Sequence, residues 1–409
     1  MIHNPGLRTL KVALSACALV AAAALTPLRP ALEVGSAKGL PAQAWTVLAP
    51  VSYKNLTIFP IRSREAATDA YITLDEGTKR GTVVIAEKGS VRAARGPVRR
   101  GESNAASRLV QSNAASRTVQ QAVSYDGGAS VNELALVNRS GKKLLLLAGE
   151  VIVGGKQDRI VQEDRIIPPV SVPVALNVFC VEHGRWTPRA ATASGGGRGS
   201  ERAGHGVAAE PRPAPVAAEE SFDAAPSAQF KSLGAVAHPK LRAAAQDRKE
   251  QGAVWNEVSA NNAKLGTANN TDAYQEVYSN KQVGAQLDDY IRALEKEVMQ
   301  PGVVGVVVAR NGRPVWVDLF AGSALFAGYW PKLLKSYAVD ALGDNTSEQR
   351  PTVEQATRYL QDRDGTVSAT TQEGVYQLAK TENASYAVFE LRDISLTAPL
   401  RLHFNKMDR

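Results

Sequence analysis

Val303-Val304-Gly305-Val306-Val307-Val308-Ala309, Arg310-Asn311-Gly312-Arg313-Pro314 and Val315-Trp316-Val317-Asp318-Leu319 form the stretch on which the reading of the fold turns. Two β-prone runs flank Asn-Gly, a pair that tolerates the left-handed positions of a type I′ turn, so the stretch predicts a hairpin. Just upstream, Val283, Leu287, Ile291, Leu294 and Val298 recur at helical spacing and stop at Pro301-Gly302. Downstream, Trp330, Leu333, Leu334, Tyr337 and Ala341 trace a second amphipathic helix, and residues 386–391 and 400–404 return to strand. Helices and strands therefore mix without βαβ alternation, which predicts an α+β fold.

The N-terminal half is β-rich. Residues 56–60 are a short strand that Pro60 is expected to end, residues 71–74 lead into Asp75-Glu76-Gly77, and residues 83–86 form a further apolar strand. After Gly127-Gly128, residues 131–138, 143–147 and 172–181 read as strands, separated by Asn138-Arg139-Ser140-Gly141 and by Pro168-Pro169.

Two low-complexity stretches interrupt this pattern. Ser103-Asn104-Ala105-Ala106-Ser107-Arg108 recurs as Ser112-Asn113-Ala114-Ala115-Ser116-Arg117 within a tandem nonapeptide spanning residues 103–120. Two small, polar copies cannot build a solenoid or offset the entropy of ordering themselves, so residues 89–128 are expected to be a flexible insertion. Residues 188–238, with Gly195-Gly196-Gly197 and Pro211-Arg212-Pro213, are expected to be a second. What remains predicts a single α+β domain over residues 45–404, interrupted by these two disordered insertions.

The chain has 409 residues, 44% of them hydrophobic, and a formal net charge of +8. Arg8 and Lys11 precede an uncharged apolar run over residues 12–25, with small residues at Ala22-Ala23-Ala24 and a stop at Thr26-Pro27. Residues 1–25 thus read as a secretory signal peptide, and the expectation is export to a periplasmic or extracellular compartment. The run is shorter than the roughly 20 residues a membrane span needs, so anchoring is the weaker reading. Cys17 sits ahead of most of the apolar run, unlike a lipoprotein cysteine, and the mature chain keeps only Cys180 as a thiol.

Much of the positive charge is local. Lys88, Arg92, Arg95, Arg99, Arg100, Arg108 and Arg117 face Glu102 alone, and setting them and the signal aside leaves the remainder without net charge. That argues against a nucleic-acid-binding face, although the basic 89–120 insertion is suited to weak contact with a membrane surface. His3, His183, His205, His238 and His403 show no metal-ligand spacing, so neither metal nor cofactor is expected.

The densest group of functional residue types is Gly149-Glu150-Val151-Ile152-Val153-Gly154-Gly155-Lys156-Gln157-Asp158-Arg159. Read as a strand end turning through glycines, it presents Glu150, Gln157 and Arg159 to a polar ligand, and Arg159 suits a carboxylate or phosphate. The competing reading pairs Arg159 with Glu150 or Glu182 to pin a bend. A second group, Cys180-Val181-Glu182-His183-Gly184-Arg185-Trp186, ends the strand at 172–181. Alternation puts Cys180 and Glu182 on one face and His183 on the other, so Cys180 is expected to be a buried, inert thiol, with Trp186 available to stack a ring or pack the core. Asp318 near the hairpin end reads either as a ligand contact or as a turn cap.

Gly149-Glu150, Gly154, Lys156-Gln157 and Arg159, followed by Cys180-Val181-Glu182 and Gly184-Arg185-Trp186, resemble the signature of the ADP-ribosylglycohydrolase- and rhodanese-phosphatase-superfamily-associated protein domain family, a domain of unknown function. Residues 56–60, 71–77 and 305–342 are similar to its outer blocks. Gly155 and Asp158 stand where alanine and asparagine are expected. The resemblance implies a link to nucleotide or ADP-ribose metabolism.

Three functions follow as expectations. The first is an exported binding or accessory protein in which Glu150, Gln157, Arg159, Glu182, Arg185 and Trp186 line a pocket for a small anionic or nucleotide-like ligand. The second is a hydrolase using Glu150 or Glu182 as general acid or base. The third makes the cluster a structural ion-pair network and places function at the surface.

Overall fold

A computed structural model describes residues 35–36, 45–88, 92–93, 132–185, 222–223, 229–344, 347 and 349–409. The segment 1–25, the insertion at 89–128 apart from two residues, and most of 188–228 lie outside the described residues. Helices and strands are mixed in an α+β fold built on a ten-stranded sheet and a closed six-stranded barrel.

The large sheet runs antiparallel through Thr366–Gln372, Tyr376–Glu382, Tyr386–Asp393, Leu400–Asp408, Arg313–Phe320, Val303–Arg310 and Leu56–Arg62. The hairpin stands at its heart: Arg310 pairs with Arg313, and Asn311 (φ 50°) and Gly312 (φ 80°) supply the two positive dihedrals of a type I′ turn. Pro60 does not end its strand, which continues to Arg62. On its outer side this strand pairs with Val51–Tyr53 as far as Ile58 and with Thr46–Val47 from Ile61, so Pro60 falls where no ladder N–H is required.

The barrel closes through Glu150–Gly154, Arg159–Val161, Val170–Cys180, Glu133–Asn138, Val83–Glu87 and Gln229–Val236. Alternation sends Val83, Ile85, Leu134, Leu136, Ile152, Val161, Leu176, Val178 and Phe230 into a shared apolar interior. Glu150–Gly154 is a barrel strand rather than a turn, its glycine lying at the end. Gln229–Val236, inside the span 188–238 read as an insertion, is the strand that closes the barrel against Val83–Glu87. Asp75-Glu76-Gly77 belongs to a helix, Leu74–Lys79, started by a reciprocal capping box between Thr73 and Glu76.

Helix Ser323–Ala341 lies between sheet and barrel and is buried on nearly every side, which explains its weak amphipathicity. Helix Lys281–Val298 packs beside it, capped by Asn280 and burying Val283, Leu287, Tyr290, Leu294 and Val298. Polar groups fix the central helix to the barrel. Lys332 Nζ meets Glu150 Oε1 at 2.5 Å and Asp75 Oδ2 at 2.8 Å, and Tyr329 donates to the Leu145 carbonyl at 2.7 Å. Burial alone would lower the Lys332 pKa, but the two carboxylates outweigh it and hold the ammonium charged.

A second buried network joins barrel loop to sheet. Asp318 Oδ1 and Oδ2 accept Arg242 Nη2 and Nη1 at 3.1 and 2.8 Å, Trp316 Nε1 at 2.8 Å, Tyr337 OH at 2.5 Å and Asn405 Nδ2 at 3.0 Å. His403 bridges Asp318 (Nε2, 3.1 Å) and Asp164 (Nδ1, 2.6 Å), and Asp164 also accepts the Ala148 N–H at 2.8 Å. Asp318 is thus a hub, neither a ligand contact nor a turn cap. Gly149 (φ 83°) makes room for it: a Cβ there would sit 2.5 Å from Arg242 Cγ.

Burial alone would lower the His403 pKa, yet the Asp164 and Asp318 carboxylates raise it to about 9. The unfolded chain titrates near 6.5, so the stabilisation from His403 is complete below that pH and is lost as pH rises toward 9. Lys406, buried and lowered to about 8, acts in the opposite sense only above that value. Urea-unfolding free energy should therefore fall by about 1 kcal/mol per unit between pH 6.5 and 8, and His403→Gln should remove most of that slope.

Candidate functional site

Three barrel strands carry their interior series to one rim. Val83, Ile85 and Glu87 share a face of their strand, Arg159 shares one with Val161, and Cys180 continues Leu176 and Val178. Arg159 pairs across the ladder with Cys180 on one side and Ile152 on the other. A guanidinium, a carboxylate and a thiol thus cap the apolar interior at the same end, and all three are buried.

The loop between Gly154 and Arg159 closes over this rim. Glu87 Oε1 accepts the Lys156 N–H at 2.8 Å, and Asp158 Oδ1 accepts that of Gly154 at 3.2 Å. Gly155 (φ 47°) is required, since a Cβ would stand 2.4 Å from Phe230 Cζ and 2.6 Å from Glu87 Oε1. Arg185 holds the loop from the other side. Its Nε and Nη2 grip Glu182 at 2.8 and 2.7 Å, Nη2 lies 3.4 Å from Asp158 Oδ1, and Nη1 donates to the Gly155 carbonyl at 2.9 Å. Glu182 Oε2 also accepts the Asp158 N–H at 3.1 Å, and Gln157 Nε2 donates to the Glu182 carbonyl at 2.8 Å.

Gln157, Arg159, Glu182 and Arg185 therefore come together, with Asp158 and Glu87 added. Glu150 does not join them: it is held by Lys332 and the Leu147 N–H on the side facing the central helix. Trp186 lies outside the described residues. Neither Glu150 nor Glu182 pairs with Arg159; Glu182 is taken by Arg185 instead, because the 182–185 turn brings that guanidinium onto it in bidentate register.

Arg159 is the exception in a well-paired cluster. Its side chain is 0% exposed, and its one hydrogen bond runs from Nη1 to the Asp158 carbonyl at 3.3 Å. Nε and Nη2 have no partner, and neither does Gln157 Oε1. Burial depresses the Arg159 pKa, partly opposed by Cys180, Glu87 and Asp158. Leaving buried donors of a cation unpaired costs several kcal/mol, so such groups usually answer to a ligand or to a mechanism.

Cys180 donates its thiol to the Glu182 carbonyl at 3.3 Å, and burial pushes its pKa up, against nucleophilic use. His183 packs edge-on to Trp255 at 4.4 Å, away from a base's role toward Cys180. Among the described residues no group of three or more His, Cys, Asp and Glu side chains is arranged to hold a metal ion, and no helix is long and apolar enough to cross a membrane. Sequence reading missed Glu87, although the alternation Val83, Ile85, Glu87 was a usable signal.

The family model of the ARG and Rhodanese-Phosphatase-superfamily-associated Protein domain matches residues 44–211 and 219–396. No curated protein and no solved structure matches the chain.

Alanine at position 155 would need both a left-handed backbone and space that Phe230 and Glu87 occupy. Gly155→Ala should lower the unfolding free energy by about 1–3 kcal/mol, measured by urea denaturation; an unchanged midpoint would mean the loop is not held as described.

Proposed function

The chain belongs to the ARG and Rhodanese-Phosphatase-superfamily-associated Protein domain family, and we propose that this member is an exported binding or accessory protein that takes a small anionic or nucleotide-like ligand at the rim of its barrel. The observation that carries this reading is the buried Arg159 guanidinium with Nε and Nη2 unpaired. A guanidinium edge of that kind matches a carboxylate or phosphate oxygen pair. Gln157 Oε1, also unpaired, adds an acceptor for a ligand hydroxyl or amide.

The surrounding charges favour binding over hydrolysis. Both oxygens of Glu182 accept hydrogen bonds from Arg185 or the Asp158 N–H, which fixes it as an anchor for the loop. Glu150 is locked to Lys332 on another side of the barrel strand. Neither carboxylate pairs with Arg159, and each is already held by another cation. Glu182 and Arg185 thus act as positioning residues, while Arg159 and Gln157 meet the ligand. Export rests on the signal-like residues 1–25.

Thermal-shift and calorimetric titration of the mature chain with inorganic phosphate, AMP and ADP-ribose tests this reading. At least one probe should bind saturably, and Arg159→Met should weaken it by about tenfold or more. Turnover of a probe that is lost in Glu182→Gln while binding persists would replace this reading with the hydrolase; binding indifferent to Arg159 would refute the site.

A further inference from the structure

A cleft of about 840 Å³ opens at a distinct place, between helix Pro239–Ala243, the hairpin tip at Arg310 and Arg313, and the C-terminal Asp408 and Arg409. Its size is that of a small-molecule site. The floor is apolar and rigid: Pro239, Ala243 and Val315 surround Trp316, whose indole N–H is fixed to Asp318 and whose ring is backed by Arg242, with Cζ 4.8 Å from the ring centroid.

The wall is built from an unusual backbone. Helix Pro239–Ala243 runs into a π-helical turn, Ala244–Arg248, closed by Lys249 in the left-handed region. Such turns are rare and recur at functional sites. Here the turn brings both Asp247 and Arg248, adjacent in sequence, to the cleft together with Lys240 and Ala243.

The ion pairs lining the cleft leave two cations without a direct partner. Asp247 is paired with Arg409, Asp408 with Arg313, Asp340 with Arg310, and Glu257 with His238. Lys240 and Arg248 have no hydrogen bond or ion pair among the described residues. Every lining carboxylate is hydrogen-bonded or ion-paired; Glu257 feels the charge of Lys240 and Arg248 without bonding to either, and their donors stay open over an aromatic and aliphatic floor.

We propose that this cleft is a second ligand site, for a small molecule that carries a phosphate or carboxylate group on a flat apolar body. The body lies on Val315, Ala243 and the Trp316 edge, and the anion faces Lys240 and Arg248. Nothing in this assignment depends on Arg159, which belongs to the barrel rim.

Calorimetric titration with 1-naphthyl phosphate, 1-naphthol and inorganic phosphate tests the proposal on the full chain. The naphthyl phosphate should bind saturably and more tightly than either fragment. The double variant Lys240→Glu/Arg248→Glu, at two exposed positions, should weaken it by about tenfold or more, and Ala243→Trp, which fills the floor, should abolish it. Arg159→Met should leave it unchanged. Absence of saturable binding, indifference to the cleft variants, or loss in Arg159→Met alone would each overturn the assignment.

Discussion

Asp318 accepts hydrogen bonds from Arg242, Trp316, Tyr337, His403 and Asn405 with no solvent near it, and the joining of sheet to barrel depends on this one carboxylate. Its pKa lies well below the ordinary carboxylate range: burial opposes the charge, but Arg242 and His403 outweigh it. Two carboxylates, Asp164 and Asp318, are matched by two cations, Arg242 and His403, so the network is neutral as a whole. Burying charge without such compensation is expensive, and a neutral, fully bonded set adds direction to what apolar packing leaves permissive. Asp164 comes from a barrel loop, Arg242 from a helix, and Asp318 and His403 from adjacent sheet strands, so the four groups meet only in the assembled fold.

Direct pairing also holds Lys332, between Glu150 and Asp75, and Arg185, between Glu182 and Asp158, one cation to two carboxylates in each. Against these, Arg159 stands apart. It occupies the rim where the interior series of three strands end, among groups that pair with each other rather than with it. A fold that satisfies its other buried cations Arg242, Lys332 and Lys406 but leaves two donors of this one unpaired is bearing a cost at a defined place. Function is the usual reason for such a cost, and the glycine-bearing loop above it lets the backbone approach the rim closely.

Much of the architecture was legible where the signal is local. The stripe from Val283 to Val298 and the Asn311-Gly312 turn are set by residues a few positions apart, and both appear as read. The barrel was not legible, because Val83–Glu87 closes against Gln229–Val236 from far along the chain, and glycine-rich surroundings disguised two of its strands. At the site, Gln157, Arg159, Glu182 and Arg185 were readable from residue type and strand alternation. Who pairs with whom was not, since the 182–185 turn decides that Arg185 rather than Arg159 receives Glu182. Glu150 was misplaced for a related reason: read as a turn residue, it is a strand residue facing the central helix. The Asp318 network left no trace in the sequence, its members being scattered over the chain.

This protein holds two kinds of buried cation, Arg242 paired within a network and Arg159 with two donors unpaired, which we propose is kept for a ligand. Urea unfolding of Arg242→Met and Arg159→Met, measured side by side, tests it directly. Arg242→Met should cost about 3–5 kcal/mol, because it strands Asp318 and the rest of the network. Arg159→Met should be neutral or stabilising, as expected for a residue retained for function at a cost to stability. Equal large losses in both variants would contradict the account and make Arg159 another structural cation.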